Sequence, residues 1–106
     1  MEPLTGLDWD DGNLTKCQRH GVSVEEIAEL FAGEPAYVPD ERHSSAEPRL
    51  LAIGKSSAGR ALFVAFTIRV RDGRRLARPI SARFMHRKEI EHYEQVWRSQ
   101  GSGHEH

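Results

Sequence analysis

Ala61-Leu62-Phe63-Val64-Ala65-Phe66-Thr67-Ile68-Arg69, then Asp72-Gly73, then Arg75-Leu76-Ala77-Arg78-Pro79-Ile80-Ser81-Ala82-Arg83, is the stretch whose reading decides the fold. Both runs are rich in apolar and β-branched residues, and Asp-Gly between two extended runs is a strong hairpin signal. In the first run Leu62, Val64, Phe66 and Ile68 alternate with Phe63, Ala65, Thr67 and Arg69, so both faces begin apolar. That predicts a central strand covered on both sides at one end. Simple alternation in the second run puts Leu76, Arg78, Ile80, Ala82 and Phe84 on one face and Arg75, Ala77, Ser81 and Arg83 on the other. Pro79 has no N–H for a ladder, so its strand is predicted to be an edge or to bulge there.

Working outward, Arg49 to Lys55 forms a further apolar run before the turn residues Ser57-Ala58-Gly59, which extends the hairpin to an antiparallel meander. Upstream, Ser23 with Glu26 three residues on makes a capping box, and Val22 is placed to staple onto Ile27; a helix is predicted over 24–32, ended by Gly33 and Pro35. Its apolar set is Ile27, Ala28, Leu30 and Phe31. An earlier helix is predicted over 11–20, stopping at Gly21, after Leu7 to Asp10, whose apolar-polar alternation reads as a short strand or an extended lead-in. Ala36 to Val38 is an extended piece between prolines, and residues 40–48 are a polar loop. A closing helix over 86–98 sets Ile90, Tyr93, Val96 and Trp97 on one face. The expected fold is α+β, an antiparallel sheet of three or four strands with two N-terminal helices and one C-terminal helix. One domain is expected over residues 1–98, with a flexible tail over 99–106 that has no apolar residue to pack.

With 38% hydrophobic and 29% charged residues, the composition is that of a soluble globular chain. No window is apolar enough to span a membrane and Met1 to Asp11 lacks the character of a secretory signal, so a cytoplasmic location is expected. The single Cys17 excludes an internal disulfide and a CxxC metal knuckle. A formal net charge of -1 conceals a strong asymmetry: residues 1–48 hold eleven of the sixteen acids and three of the fifteen Lys and Arg. Eight basic residues fall between Arg69 and Lys88, with Asp72 the one acid among them. Such a run suits phosphate contact, and arginine's planar fork favours it; the bland alternative is a solvated surface.

Five blocks in register carry a resemblance to a known family. They are Trp9-Asp10 with Asn13; Arg19-His20-Gly21-Val22-Ser23 with Glu25-Glu26; Asp40 with His43-Ser44 and Glu47; Gly54-Lys55-Ser56 with Gly59-Arg60; and Ile80-Ser81-Ala82-Arg83 with Glu89 and Tyr93-Glu94. In order and spacing they resemble the BrnT toxins over about residues 7 to 95. The resemblance implies a RelE-like α+β fold, metal-independent ribonuclease activity that arrests growth, and neutralisation by a cognate DNA-binding antitoxin that represses the operon. It also implies assembly as a homodimer or a toxin-antitoxin heterotetramer. One departure is visible: many members carry a lysine near the position of Asn13, and one more residue between the tryptophan and histidine of the first two blocks.

Cleaving RNA without a metal requires a base for the 2′-hydroxyl proton, positive charge for the phosphorane and an acid for the leaving 5′-oxygen. His20, Arg60 and Arg83 are the expected catalytic residues; His20 could instead serve its helix dipole, and the arginines could form salt bridges with the acidic half. Arg69, Arg78, Arg87 and Lys88 are expected RNA contacts, with Thr67 a further candidate. Glu89 could orient Arg83. His43 with Asp40 and Glu47 lacks the second histidine of a metal centre, so no metal or other cofactor is expected. Trp9 and Trp97 are read as core or interface anchors. Two other classes remain open on the residues alone, a non-catalytic RNA-binding or protein-interaction module and a structural protein that pairs its acidic and basic halves between chains.

Overall fold

A computed structural model describes residues 4–40 and 47–103, with side chains as far as residue 95. His43, Ser44, His104, His106 and the side chains of Val96 and Trp97 therefore lie outside the described residues. The elements in chain order are β1 (Gly6–Leu7), α1 (Asp11–Cys17), α2 (Val24–Ala32), β2 (Ala36–Pro39), β3 (Leu50–Lys55), β4 (Ala61–Arg71), β5 (Arg74–Phe84) and α3 (Arg87–Gly103). They form an α+β unit with one mixed sheet of order β1-β5-β4-β3-β2. Among the described residues no helix is long and apolar enough to cross a membrane.

The meander is as the runs predict. Asp72 (φ 53) and Gly73 (φ 76) close the β4–β5 hairpin with both central residues left-handed, the twist that matches paired strands. The sheet has five strands rather than three or four. β1, two residues long, pairs parallel to β5 at Leu76 and Ala77, and β2 pairs antiparallel to β3. Strands of two and four residues are too short to show alternation, and Pro39 in β2 is tolerated because β2 is an edge.

Helix α2 has the predicted bounds. Ser23 Oγ accepts from the Glu26 N–H at 3.1 Å while Glu26 Oε1 accepts from the Ser23 N–H at 3.1 Å, and Val22 and Ile27 are both buried in the main core. Ala28, expected on the apolar face, is exposed. Helix α1 ends at Cys17, three residues early; Gly21 is left-handed as expected (φ 88), but it closes the following turn through its N–H on the Gln18 carbonyl. Helix α3 runs past residue 98 to Gly103, with no proline in Ser99–Gly103 to interrupt it.

One irregularity changes the reading of β5. Ala65 pairs with Ser81 but Phe66 pairs with Pro79, so Ile80 is an extra residue in a bulge. The bulge inverts the alternation for everything before it. Ala77 and Pro79 join Ala82 and Phe84 towards α1 and α2, whereas Leu76 and Arg78 lie on the opposite face with Ser81 and Arg83. Simple alternation had placed Arg78 and Arg83 on different faces; register places them on the same one.

The larger core therefore lies between the helices and the even-numbered face of β4, around Leu62, Val64 and Phe66 with Ile27, Leu30 and Cys17. A smaller cluster of Ile53, Ala61, Phe63 and Met85 lies on the other face, capped by Ile90 and Tyr93 of α3. Trp9 packs against the larger core. Gly54 lets α2 approach, since a Cβ there would stand 2.8 Å from Leu30 Cδ1.

Asn13 ties α1 to the bulge. Its side chain is buried, accepts from the Asp10 N–H at 2.7 Å, and donates to the carbonyls of Asp8 (3.0 Å) and Pro79 (2.8 Å). Its own backbone N–H donates to Asp10 Oδ1 at 3.0 Å. Asn13→Ala strands these buried groups and is expected to lower stability by about 1–3 kcal/mol in urea unfolding. A loss within ~0.5 kcal/mol, as for ordinary surface changes, would show that the bulge holds without it.

Candidate functional site

The face of the sheet opposite α1 and α2 carries three rows set by register. Val38, Leu51, Ala65 and Ser81 form the middle row; Ile53, Phe63 and Arg83 form the row towards α3; Arg49, two residues before Leu51, lies on the far side with Thr67 and Arg78. The middle row has small residues at its centre, and α3 covers the Phe63 end only. A cleft of about 580 Å³ results, whose lining includes Asp40, Arg49, Leu51, Ala65, Ser81, Arg83, Glu89 and Tyr93. Its volume falls in the range of small-molecule sites.

Arg83 is the best-held functional group in this cleft. Its Nη1 and Nη2 donate to Glu89 Oε1 and Oε2 at 2.9 and 2.8 Å, Nη1 also donates to the Phe84 carbonyl, and the guanidinium carbon lies 4.6 Å from the Phe63 ring centroid. The bidentate carboxylate and the ring beneath fix the plane of the guanidinium. Among the described residues Nε and one Nη2 hydrogen of Arg83 make no hydrogen bond. Glu89 is in turn the third residue of α3 and accepts from the His86 N–H at 2.9 Å, so one carboxylate joins the end of β5 to the start of α3. Arg83 holds the Glu89 carboxyl at about 2, and the same pairing raises the arginine. His86 Nε2 is 4.0 Å from Glu89 Oε1 and its side chain is 80% exposed. Arg87 and Lys88 are exposed beside it on the first turn of α3.

The structure separates the three residues expected to act together. Arg60 lies against the helix layer, its guanidinium 3.6 Å from the Phe84 ring centroid and its Nη1 3.6 Å from Glu26 Oε2. His20 is exposed in the turn between α1 and α2, also on that layer. Arg83 is on the opposite face. Of the expected RNA contacts, Arg69 pairs with Glu47, and Arg78 pairs with Asp10 at 2.7 Å. Arg71 pairs with Asp8 as well. The acidic N-terminal half thus engages much of the basic run within the fold. Arg69 draws Glu47 below the usual carboxylate range, and the Asn13 N–H followed by Arg78 does the same for Asp10.

Sequence reasoning missed Arg49 and His86. Arg49 precedes the basic run, and His86 reads as a helix-start residue; their nearness to the cleft depends on strand order. Among the described residues no group of three His, Cys, Asp or Glu could hold a metal. Cys17 is buried in the main core, where burial pushes its thiol up to about 11. It is expected to react with a thiol reagent in the native state far more slowly than in urea.

The Arg83–Glu89 pair yields a pH prediction. Because the folded carboxylate has the lower pKa, its stabilisation is complete above the ordinary value of 4.5 and is lost as pH falls towards 2. Glu89→Gln is expected to reduce stability by up to ~1 kcal/mol at neutral pH, the scale of a partly exposed pair. Parent and variant should converge near pH 2 in thermal melts, and a difference independent of pH would contradict the pairing.

A comparison with protein-family models matches residues 9–89 to the family described as ribonuclease toxin, BrnT, of type II toxin-antitoxin systems. No curated protein matches the chain.

Proposed function

The chain belongs to the BrnT family of type II toxin-antitoxin ribonuclease toxins, which implies a cognate antitoxin as its partner, and from that premise we propose that it cleaves RNA without a metal at the cleft around Arg83. The observation that carries the location is the clamped guanidinium of Arg83, held by Glu89 and Phe63 at the start of α3, with two of its N–H donors unbonded among the described residues. The N–H donors that Glu89 leaves on Arg83 and the exposed Arg87 and Lys88 on the first turn of α3 favour a phosphate.

In this reading the 2′-hydroxyl attacks the adjacent phosphorus and the bond to the 5′-oxygen breaks, leaving a 2′,3′-cyclic phosphate and a 5′-hydroxyl. The attacking oxygen gives up its proton and the leaving oxygen receives one. Arg83 meets the charge that builds on the phosphorane, a contribution that reaches two to three orders of magnitude in rate when such donors are preorganised. His86 is the proposed proton carrier in place of His20, because imidazole is a side chain suited to proton exchange and His86 Nε2 stands 4.0 Å from the Glu89 carboxylate that holds Arg83. Arg87 and Lys88 hold the RNA backbone nearby. The proposed arrangement is RelE-like, a single domain acting in the cytoplasm to inhibit translation and growth until the antitoxin binds. Arg60 and His20 then act on the helix layer, as a stacked ion pair and a turn residue.

The test is cleavage of RNA by the purified chain in a chelating buffer, with growth and RNA integrity followed after induction in a bacterial host. The parent is expected to cut RNA and arrest growth, Arg83→Ala to lose about 100-fold or more in rate, and Arg60→Ala to stay within a few-fold. Intact RNA in the presence of folded parent protein would overturn the reading. Loss of cleavage in Arg60→Ala but not in Arg83→Ala would move the site to the helix layer.

A further inference from the structure

Arg49 stands across the cleft from Arg83, and this pairing of walls is not accounted for by a site built on Arg83 alone. Its row and that of Arg83 are two steps apart along the strands and the residues belong to strands two apart, so their Cα atoms are separated by roughly 16 Å on ideal sheet spacings. Both residues line one cleft, Arg49 on the side of β3 and Arg83 on the side of β5. Between them lie Leu51 and Ala65 as an apolar floor and Ser81 as a hydroxyl. The Arg49 backbone is held by its carbonyl, which accepts from the Asp40 N–H at 2.9 Å.

The chemistry of the two walls differs. Arg83 has a bidentate carboxylate partner, whereas Arg49 makes no ion pair among the described residues. The Arg49 fork over an apolar floor, facing the N–H donors of Arg83 that Glu89 does not occupy, matches two successive phosphates with a base between them. A paired helix presents its bases inward and could place none of them on this floor.

Resting on the ribonuclease reading, we propose that the cleft holds a single-stranded RNA segment of one to two nucleotides, with a base over Leu51 and Ala65, its edge at Ser81, and the neighbouring phosphate bound by Arg49. Arg49 is thus a substrate-binding residue that sets the strand preference of the site, while the reacting phosphate lies at Arg83.

The test is fluorescence anisotropy with a labelled 2′-O-methyl tetraribonucleotide, which lacks the attacking hydroxyl, and with the same sequence in a duplex. Cleavage of unmodified RNA is measured in parallel, and thermal melts confirm that each variant is folded. The parent is expected to bind the single strand at least tenfold more tightly than the duplex. Arg49→Ala should weaken single-strand binding roughly 10- to 150-fold, the range for a lost charge-assisted hydrogen bond, and reduce the slope of log affinity against log salt by about 0.7. Arg49→Lys should restore the slope but recover only part of the affinity. Unchanged affinity and slope in Arg49→Ala, or equal binding of duplex, overturns the subsite; if the parent still cleaves RNA, the ribonuclease reading survives that failure. A folded parent that neither binds nor cleaves overturns both.

Discussion

The missing N–H of Pro79 is the constraint on which the rest of the structure depends. A proline in a paired strand leaves a gap in the ladder, and here the strand takes up one extra residue, Ile80, at that point. Asn13 then occupies the outward carbonyl of Pro79 and joins it to the start of α1. The bulge decides which residues face the helices and which face the cleft. Ala77 and Pro79 enter the main core because of it, and Arg78, Ser81 and Arg83 come to share a face.

Charge is organised on the same plan. The acidic first half and basic second half do not form two opposed surfaces, because Asp8, Asp10, Glu26 and Glu47 lie within reach of Arg71, Arg78, Arg60 and Arg69. Exposed pairs of this kind contribute little stability each. Their effect is to fix side chains and to reduce the number of cations offered to a ligand. In the cleft Arg83 is paired with Glu89 of the second half, whereas Arg49 makes no ion pair among the described residues.

Much of the fold was legible in the chain. The long β4 and β5 runs, the Asp72-Gly73 turn and the Ser23–Glu26 capping box are local signals, and each appears where expected. The possibility of a bulge at Pro79 was legible too, but its consequence for the faces was not, because an inserted residue inverts an alternation that otherwise reads correctly. β1 and β2 were legible as short extended pieces near Leu7 and at Ala36 to Val38, but not as members of the sheet, because their pairing depends on their neighbours. The candidate site was half legible. Arg83 and its partner Glu89 could be named from their spacing, whereas grouping Arg60 and His20 with Arg83 depended on which side of the sheet each would occupy. Arg49 carried no local signal, since its position in the cleft comes from strand order.

The central claim is that RNA is bound on the sheet face bearing Arg83 and Arg49, and amide hydrogen exchange with and without a noncleavable single-stranded RNA tests it most directly. Protection is predicted over 49–53, 63–67, 81–83 and the first turn of α3, with the α1–α2 turn and the start of α2 unchanged. Protection confined to residues 18–26 and 56–60, around His20 and Arg60, would contradict the account.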